Sequence, residues 1–395
     1  MRADACTRRE VMALAAGAAL TLLLPPPWLV AGKTADARKE FFDEGRVLKV
    51  NLELKREDMD SLRREPRKYV KATLHESAGE HETVYKDVGL HTKGAAGSNR
   101  PIDDKPGMTL NMGKFEGDQH FHGMTKFHLN NSVQDPSYLS DLLCGELFRS
   151  VGVPASRFTH ALVTINDRKC GLYCLKEGFD KSFLKDNFGS SDGNFYDGGF
   201  LRDLDQPLDL VSGKDDVKDR KDLKALFTTA RISDPARRFR ELERLLELEK
   251  FISYVAMEVV TWDWDGYPMK QNNYRLYHDP KRDKITFIPS GMDQMFGEPE
   301  GPLFPEFGGA VARALIQTPE GRKRYVARMK EILQDSFDVE KLIKRLDELQ
   351  DRLRPALESV GEGAARDYPG HVDRLRDGIR RRQKSLEQQL KRARA

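Results

Sequence analysis

Between Arg46 and Glu177 the apolar residues fall mostly on every second position, and beyond Glu177 they fall at helical spacing. That switch of period restricts the chain to an α+β protein with half-buried strands first and helices after. Leu48, Val50, Leu52 and Leu54 alternate with polar residues, as do Val84, Val88 and Leu90, and then Met108, Leu110 and Met112. Ala161–Ile165 and Cys170–Lys176, joined by the turn formers Asn166, Asp167 and Arg168, read as a hairpin. One helix interrupts the strands: Ser137 caps it, Leu139, Leu142, Leu143, Leu147 and Phe148 form its apolar face, and Gly152 stops it. The expectation is an antiparallel sheet with a helix packed on it.

The second half reads differently. Leu204–Asp219 is expected to be a mobile surface insertion. Pro235–Val260 carries apolar residues at helical spacing and leads into Trp262-Asp263-Trp264-Asp265. Asn273–Tyr277 and Lys284–Pro289 form a second hairpin whose far end delivers Asp293. From Val339 onward the chain is helical and charged, with Leu342, Ile343, Leu346, Leu349 and Leu353 on one face and Pro369-Gly370 separating a final helix. A helical brace with a solvated outer face fits better than a coiled coil, because the heptads are few.

Composition removes several function classes. The 66 basic and 63 acidic residues balance, so nothing calls for nucleic acid as a partner. After the first segment three cysteines remain, Cys144, Cys170 and Cys174, an odd number that argues against a disulfide framework; they read as buried apolar residues. Cys170 and Cys174 would share one strand face about 13 Å apart, too far to bridge. Residues 1–37 read as an export signal: Arg8-Arg9 favours the twin-arginine route, and Ala35-Asp36-Ala37 suits a signal peptidase. An uncleaved anchor is the other reading, but the apolar run is shorter than the roughly 20 residues that span a bilayer. No later stretch reaches that length, so no stable membrane insertion is expected after cleavage.

Asp265, Asn273 and Asp293 are the chemistry-bearing set. Phosphoryl transfer needs hard oxygen ligands for a divalent cation and a carboxylate for the accepting hydroxyl, which two aspartates and an asparagine supply. On spacing alone they equally suit turn formers that cap helices and hairpins. Lys93 and Arg100 flank a small-residue loop, Gly94–Asn99, whose backbone can approach a phosphate chain. Lys105 is placed to reach a cleft, and Glu146 to pair with it. The lone histidines His75, His120 and His128 show no ligand spacing.

These segments, taken in order, resemble the CotH kinase family. The matching stretches are Asp135–Asp141, Gly152–Arg157, Asn166 through Gly171-Leu172-Tyr173 to Glu177, Asn272–Tyr277 and Pro289–Gly297. The resemblance implies an atypical, secreted, kinase-like two-lobed fold, with a strand-rich N-lobe over 46–178, a C-lobe over 179–338 and a helical extension over 339–395. It implies ATP with Mg or Mn in the cleft and Asp265 as the catalytic-loop aspartate. Asn273 and Asp293 become the metal ligands, and Lys93, Arg100, Lys105, Glu146 and Glu177 the nucleotide-binding residues. The expected activity is transfer of the ATP γ-phosphate to a hydroxyl on an envelope or coat protein, by an exported enzyme of the periplasm, cell envelope or cell exterior. The chain departs from the family in Lys93-Gly94-Ala95-Ala96, where Arg-Gly-Asn-Ser is common, and in Gly291, where an aspartate is common. A surface or coat protein that kept the fold without the reaction is the alternative.

Overall fold

The computed structural model describes residues 37–78, 81–213 and 219–393. The export-signal reading thus lies outside the described residues but for its last position. A short helix, α1 (37–44), precedes β1 (Val47–Glu53), α2 (Arg56–Arg64), β2 (Val70–Ala78), β3 (His81–Lys93), β4 (Gly107–Asn111) and β5 (Lys126–Asn130). Helix α3 (Ser140–Ser150) and the hairpin β6 (Phe158–Ile165) and β7 (Arg168–Glu177) follow.

These seven strands close into a barrel in the order β1-β2-β3-β4-β5-β7-β6, where an antiparallel sheet was expected. Every neighbouring pair is antiparallel except β1 and β6, whose parallel pairing, Leu48 to Ala161 and Val50 to Val163, completes the ring. Both strands send alternate apolar side chains inward in the same phase, so closing them hides two edges without exposing either face. Val84 departs from its expected burial: this first part of β3 pairs with β2 alone, before β4 joins at Gly89, and leaves it 43% exposed.

A bulge corrects the cysteine reading. The β6–β7 register shifts between Val163 and Thr164, next to Gly171 at φ 87, and the shift reverses which side of β7 faces in. Cys170 joins Tyr173 and Leu175 in the barrel core, while Cys174 joins Leu172 in the core outside it. The two cysteines therefore occupy opposite faces of β7. All three cysteines are free and buried, as expected.

The apolar face of α3 is buried as its spacing predicts. Its cap differs. Asp135, not Ser137, gathers the entry turn, accepting from the Ser140 amide at 2.9 Å, the Ser137 amide at 3.0 Å and the Ser137 hydroxyl. A carboxylate at a helix start meets both the orphan amides and the positive end of the dipole.

Beyond β7, α4 (Lys181–Phe188) leads to a second, antiparallel sheet of β8 (Asn194–Asp197), β9 (Asp209–Ser212), β10 (Tyr274–Asp279) and β11 (Lys284–Pro289), ordered β11-β10-β8-β9. Residues 209–212 belong to this sheet, and Leu204 and Leu208 just before them are buried, so 204–212 is not a mobile insertion. Helices α5 (Lys221–Ala230), α6 (Pro235–Leu245), α7 (Leu248–Thr261) and α8 (Tyr267–Lys270) lie between β9 and β10. The single helix expected over Pro235–Val260 is two, because buried Leu246 turns extended and bridges to Ile285 of β11.

The C-terminal part comprises α9 (Ala310–Ile316), α10 (Pro319–Glu331), a π-helical turn at Ile332–Ser336, α11 (Val339–Val360) and α12 (Glu362–Arg392). The break between the last two falls at Gly361, whose φ of 156 only glycine adopts easily, and not at Pro369-Gly370. Pro369 sits inside α12, where burial of Tyr368 and Val372 outweighs a cost of about 3 kcal/mol. Both helices bury their apolar stripes against α7 and the barrel wall. Among the described residues no helix is long and apolar enough to cross a membrane.

Candidate active site

The outer face of the barrel supplies one wall of a cleft. Phe127 and Leu129 fill the barrel, so His128 and Asn130 on β5 point out of it, with His128 opposite Lys176 of β7. Lys93, at the end of β3, donates to Asn130 Oδ1 at 2.6 Å, and Asn130 Nδ2 donates to Asp141 Oδ2 on α3 at 3.0 Å. Lys176 donates to Ser290 Oγ at 3.2 Å. Burial pushes the amines of both lysines down, that of Lys176 to about 8, with Asp141 opposing. His128 falls well below its ordinary range through burial and the Lys93 charge.

The other wall begins where α7 ends at Trp262, whose φ of 54 turns the chain into Asp263–Gly266. Asp265 Oδ2 accepts from the side-chain amides of Asn272 and Asn273, each at 2.9 Å. The Asn273 carbonyl then accepts from the Ser290 amide at 2.9 Å, and Asp141 Oδ1 accepts from the Met292 amide at 2.9 Å. Asp293 is thereby held between the walls. Its carboxylate takes no hydrogen bond from another described residue, and burial first, then the Asp141 and Asp135 charges, raise it to about 7 against the pull of Lys93. Behind Asp265, Glu258 and Asp263 are fully buried, and burial with neighbouring carboxylates pushes both up.

Asp293 carries a testable cost. An aspartate raised from its ordinary 3.8 to about 7 adds stability below about pH 4, which is lost as pH climbs through 7. Asp293→Asn is therefore expected to be more stable than the native chain by a few kcal/mol at pH 8, at about 1.4 kcal/mol for each tenfold change in proton affinity, with the difference gone at pH 4. Denaturant melts in chelator at the two pH values check it; equal stability at pH 8 would mean the carboxylate is well solvated.

Gly291 stands beside this pair with φ 80, and a Cβ there would lie 2.8 Å from Asn273 Oδ1. The glycine leaves the amide oxygen open, and an aspartate would require Asn273 to move. A cavity of about 320 Å³ opens next to Asp293, lined by Asp135, Ser137, Trp264 and, from α12, His371 and Arg374.

Residues 105–386 match the CotH kinase protein family, more than half the chain. The chain belongs to that family. It is 24% identical over 255 residues to the inner spore coat protein H of Bacillus subtilis, covering 60% of this chain and 69% of that one. It is 25% identical over 239 residues to spore coat protein homolog 1 of Rhizopus delemar, covering 54% and 39%, and 21% identical over 372 residues to the invasin CotH3 of the same fungus, covering 84% and 59%. The chain thus spans less than two thirds of the length of the fungal relatives.

Within this CotH-family cleft the fold gathers Lys93, Asp265, Asn273 and Asp293 from four separate segments. The other expected residues lie elsewhere. Arg100 bonds its own loop, to the Gly97 and Asn99 carbonyls at 3.2 and 3.0 Å, with Asp104 3.6 Å away. Lys105 donates to the Tyr138 hydroxyl at 3.0 Å and lies over the Tyr138 and Tyr173 rings. The expected Lys105–Glu146 pair does not form: Glu146 binds Arg345 of α11 at 2.8 Å, because its face of α3 turns toward that helix. Glu177 is buried against Arg38 and Arg157. Asn130, Asp141 and Lys176 were missed; a lysine ending the apolar run Leu172–Leu175 was the visible signal for the last.

Proposed function

We propose that this CotH-family chain is an ATP-dependent phosphotransferase that modifies a hydroxyl on a protein of a coat or cell surface. The observation that carries the reading is the convergence of Lys93, on the outer wall of the barrel, with Asp265, Asn273 and Asp293 from the loops that follow α7, α8 and β11. Spore coat and invasin names among the relatives support the location.

The donors suit a nucleotide-bound Mg or Mn. Asp293 keeps a carboxylate whose one protein donor is its own amide, Asn273 keeps an open amide oxygen, and the like-charged surroundings of Asp293 favour a cation. When bound, the ion neutralises charge developing on the transferred group. Lys93 adds a fixed positive charge to the phosphate chain. The Asn272 and Asn273 amides hold one Asp265 oxygen, leaving Oδ1 to orient the acceptor hydroxyl and take its proton.

ATP with Mn or Mg at about 100 times its dissociation constant should stabilise the chain by roughly 2.7 kcal/mol, and Asp293→Ala should abolish the gain. A thermal melt series reads this without knowing the acceptor. A flat response at millimolar ATP would favour a coat or surface protein without the reaction, the reading that Gly291 at the metal side of the cleft supports.

A further inference from the structure

The cavity beside Asp293 carries groups that phosphotransfer itself does not use. Trp264 is 37% exposed while Trp262, two residues earlier, is 6% exposed, and the Trp264 ring meets no other aromatic or cationic side chain among the described residues. Its amide donates to the Trp262 carbonyl at 2.8 Å, which fixes the turn that also presents Asp265. From α12 comes Arg374, exposed and without an ion pair among the described residues. It donates to His371 Nδ1, and because a guanidinium can only donate, that imidazole is neutral with its proton on Nε2. Gln134 and Gln294 line the same cavity, and their side-chain amides make no hydrogen bond with any described residue.

The acids nearby are committed elsewhere. Asp135 spends both oxygens on the start of α3. Asp293 is the metal ligand of the proposed reaction. On α12, the acids nearest Arg374 in sequence each have another arginine: Asp367 with Arg366 at 3.0 Å, Asp373 with Arg376 at 2.6 Å and Asp377 with Arg380 at 4.0 Å. The uncommitted charge of the cavity is therefore positive, and it stands beside an open indole face and two free amides.

We infer that this cavity is the docking subsite for the acceptor protein and takes an acidic side chain, Asp or Glu, flanking the accepting hydroxyl. The inference rests on the phosphotransfer reading and names the substrate class for it. Arg374 holds the flanking carboxylate as a planar fork, with His371 Nε2 a second donor. Trp264 packs on the apolar part of the peptide, and the glutamine amides bond its backbone, whose polar groups need partners once they leave water. Because Trp264 directly precedes Asp265, a chain seated on the indole passes the carboxylate that orients the hydroxyl.

The test is fluorescence anisotropy on the full chain with two labelled peptides, each holding one serine, flanked by glutamates in one and by lysines in the other. The glutamate peptide is expected to bind at least about fivefold tighter at low salt, the size of one exposed charge pair. Arg374→Glu should reverse the order and Arg374→Lys keep it. Trp264→Ala should weaken both peptides without moving the melting temperature, since the ring is exposed. Equal binding, tighter binding of the lysine peptide, or a preference unmoved by Arg374→Glu overturns the inference. So does an ATP response lost in Arg374→Glu, which would give the cavity to the nucleotide. Glutamate preference with no ATP response keeps the acidic-peptide site and removes the phosphotransfer reading. An ATP response without any peptide preference does the reverse.

Discussion

Arg382→Met is expected to lower stability by at least about 3 kcal/mol and to disorder the approach to Asp265. Arg382 is fully buried on α12 and donates to the carbonyls of Val259 at 2.6 Å, Val260 at 3.2 Å, Pro299 at 3.1 Å and Gly301, with its guanidinium 5.0 Å from the Trp262 ring centre. Val259 and Val260 belong to the last turn of α7, where the Val259 carbonyl also accepts from the Trp262 amide at 3.2 Å while the Val260 carbonyl has no partner further along the helix. Hydrogen bonds from a charged donor contribute about 1.5–3 kcal/mol each, and stranded buried acceptors cost more than solvated ones. Burial lowers the guanidinium only to about 10, so it stays charged at neutral pH. Arg382→Lys should recover less than half of the loss, because one ammonium cannot reach four carbonyls that a planar fork spans. Urea unfolding measures both variants; a loss under about 1 kcal/mol for methionine would show that the end of α7 is satisfied some other way.

The same arginine shows where local sequence patterns stop being informative. Alternation along β1 and β4 was legible because each strand has one face in the barrel core, and period two follows from that alone. Closure was not legible, since β1 meets β6 across more than a hundred residues and nothing near either strand encodes the partner. The helix break at Leu246 escaped notice for a related reason: helical spacing continues on both sides, and the interruption is set by Ile285. In the site, Asp265 and Asn273 were readable as a pair because they lie eight positions apart across the short helix α8, and the structure ties them directly. Asp141 and Lys176 enter through strand register and through the amide of Met292, 151 residues from Asp141. Glu146 was assigned by chain order to Lys105, yet its partner lies 199 residues away on α11. Local chemistry was visible in the chain, whereas the partners brought by distant segments were not.

Glu177 is the case in which location and expected role separate most sharply. Glu177→Ala is expected to cost about 3–5 kcal/mol while leaving the response to ATP with Mn or Mg unchanged. The side chain is 3% exposed and lies 3.4 Å from Arg38, itself 1% exposed, and 3.9 Å from Arg157, whose amide it also accepts at 3.0 Å. Burial raises the carboxyl, and the two arginines pull it back, so the ion pair itself adds little net stability. Removing one member is another matter: Arg38 would stay buried with only Asp186 to balance it. The double replacement Arg38→Met with Glu177→Leu should therefore be more stable than Glu177→Ala alone, since well-packed apolar groups often equal a buried ion pair. Because Arg38 ties α1 to the end of β7, the single variant should also loosen the first described segment, readable as faster proteolysis near residue 40. A small stability loss together with a lost ATP response would return Glu177 to the nucleotide-binding set.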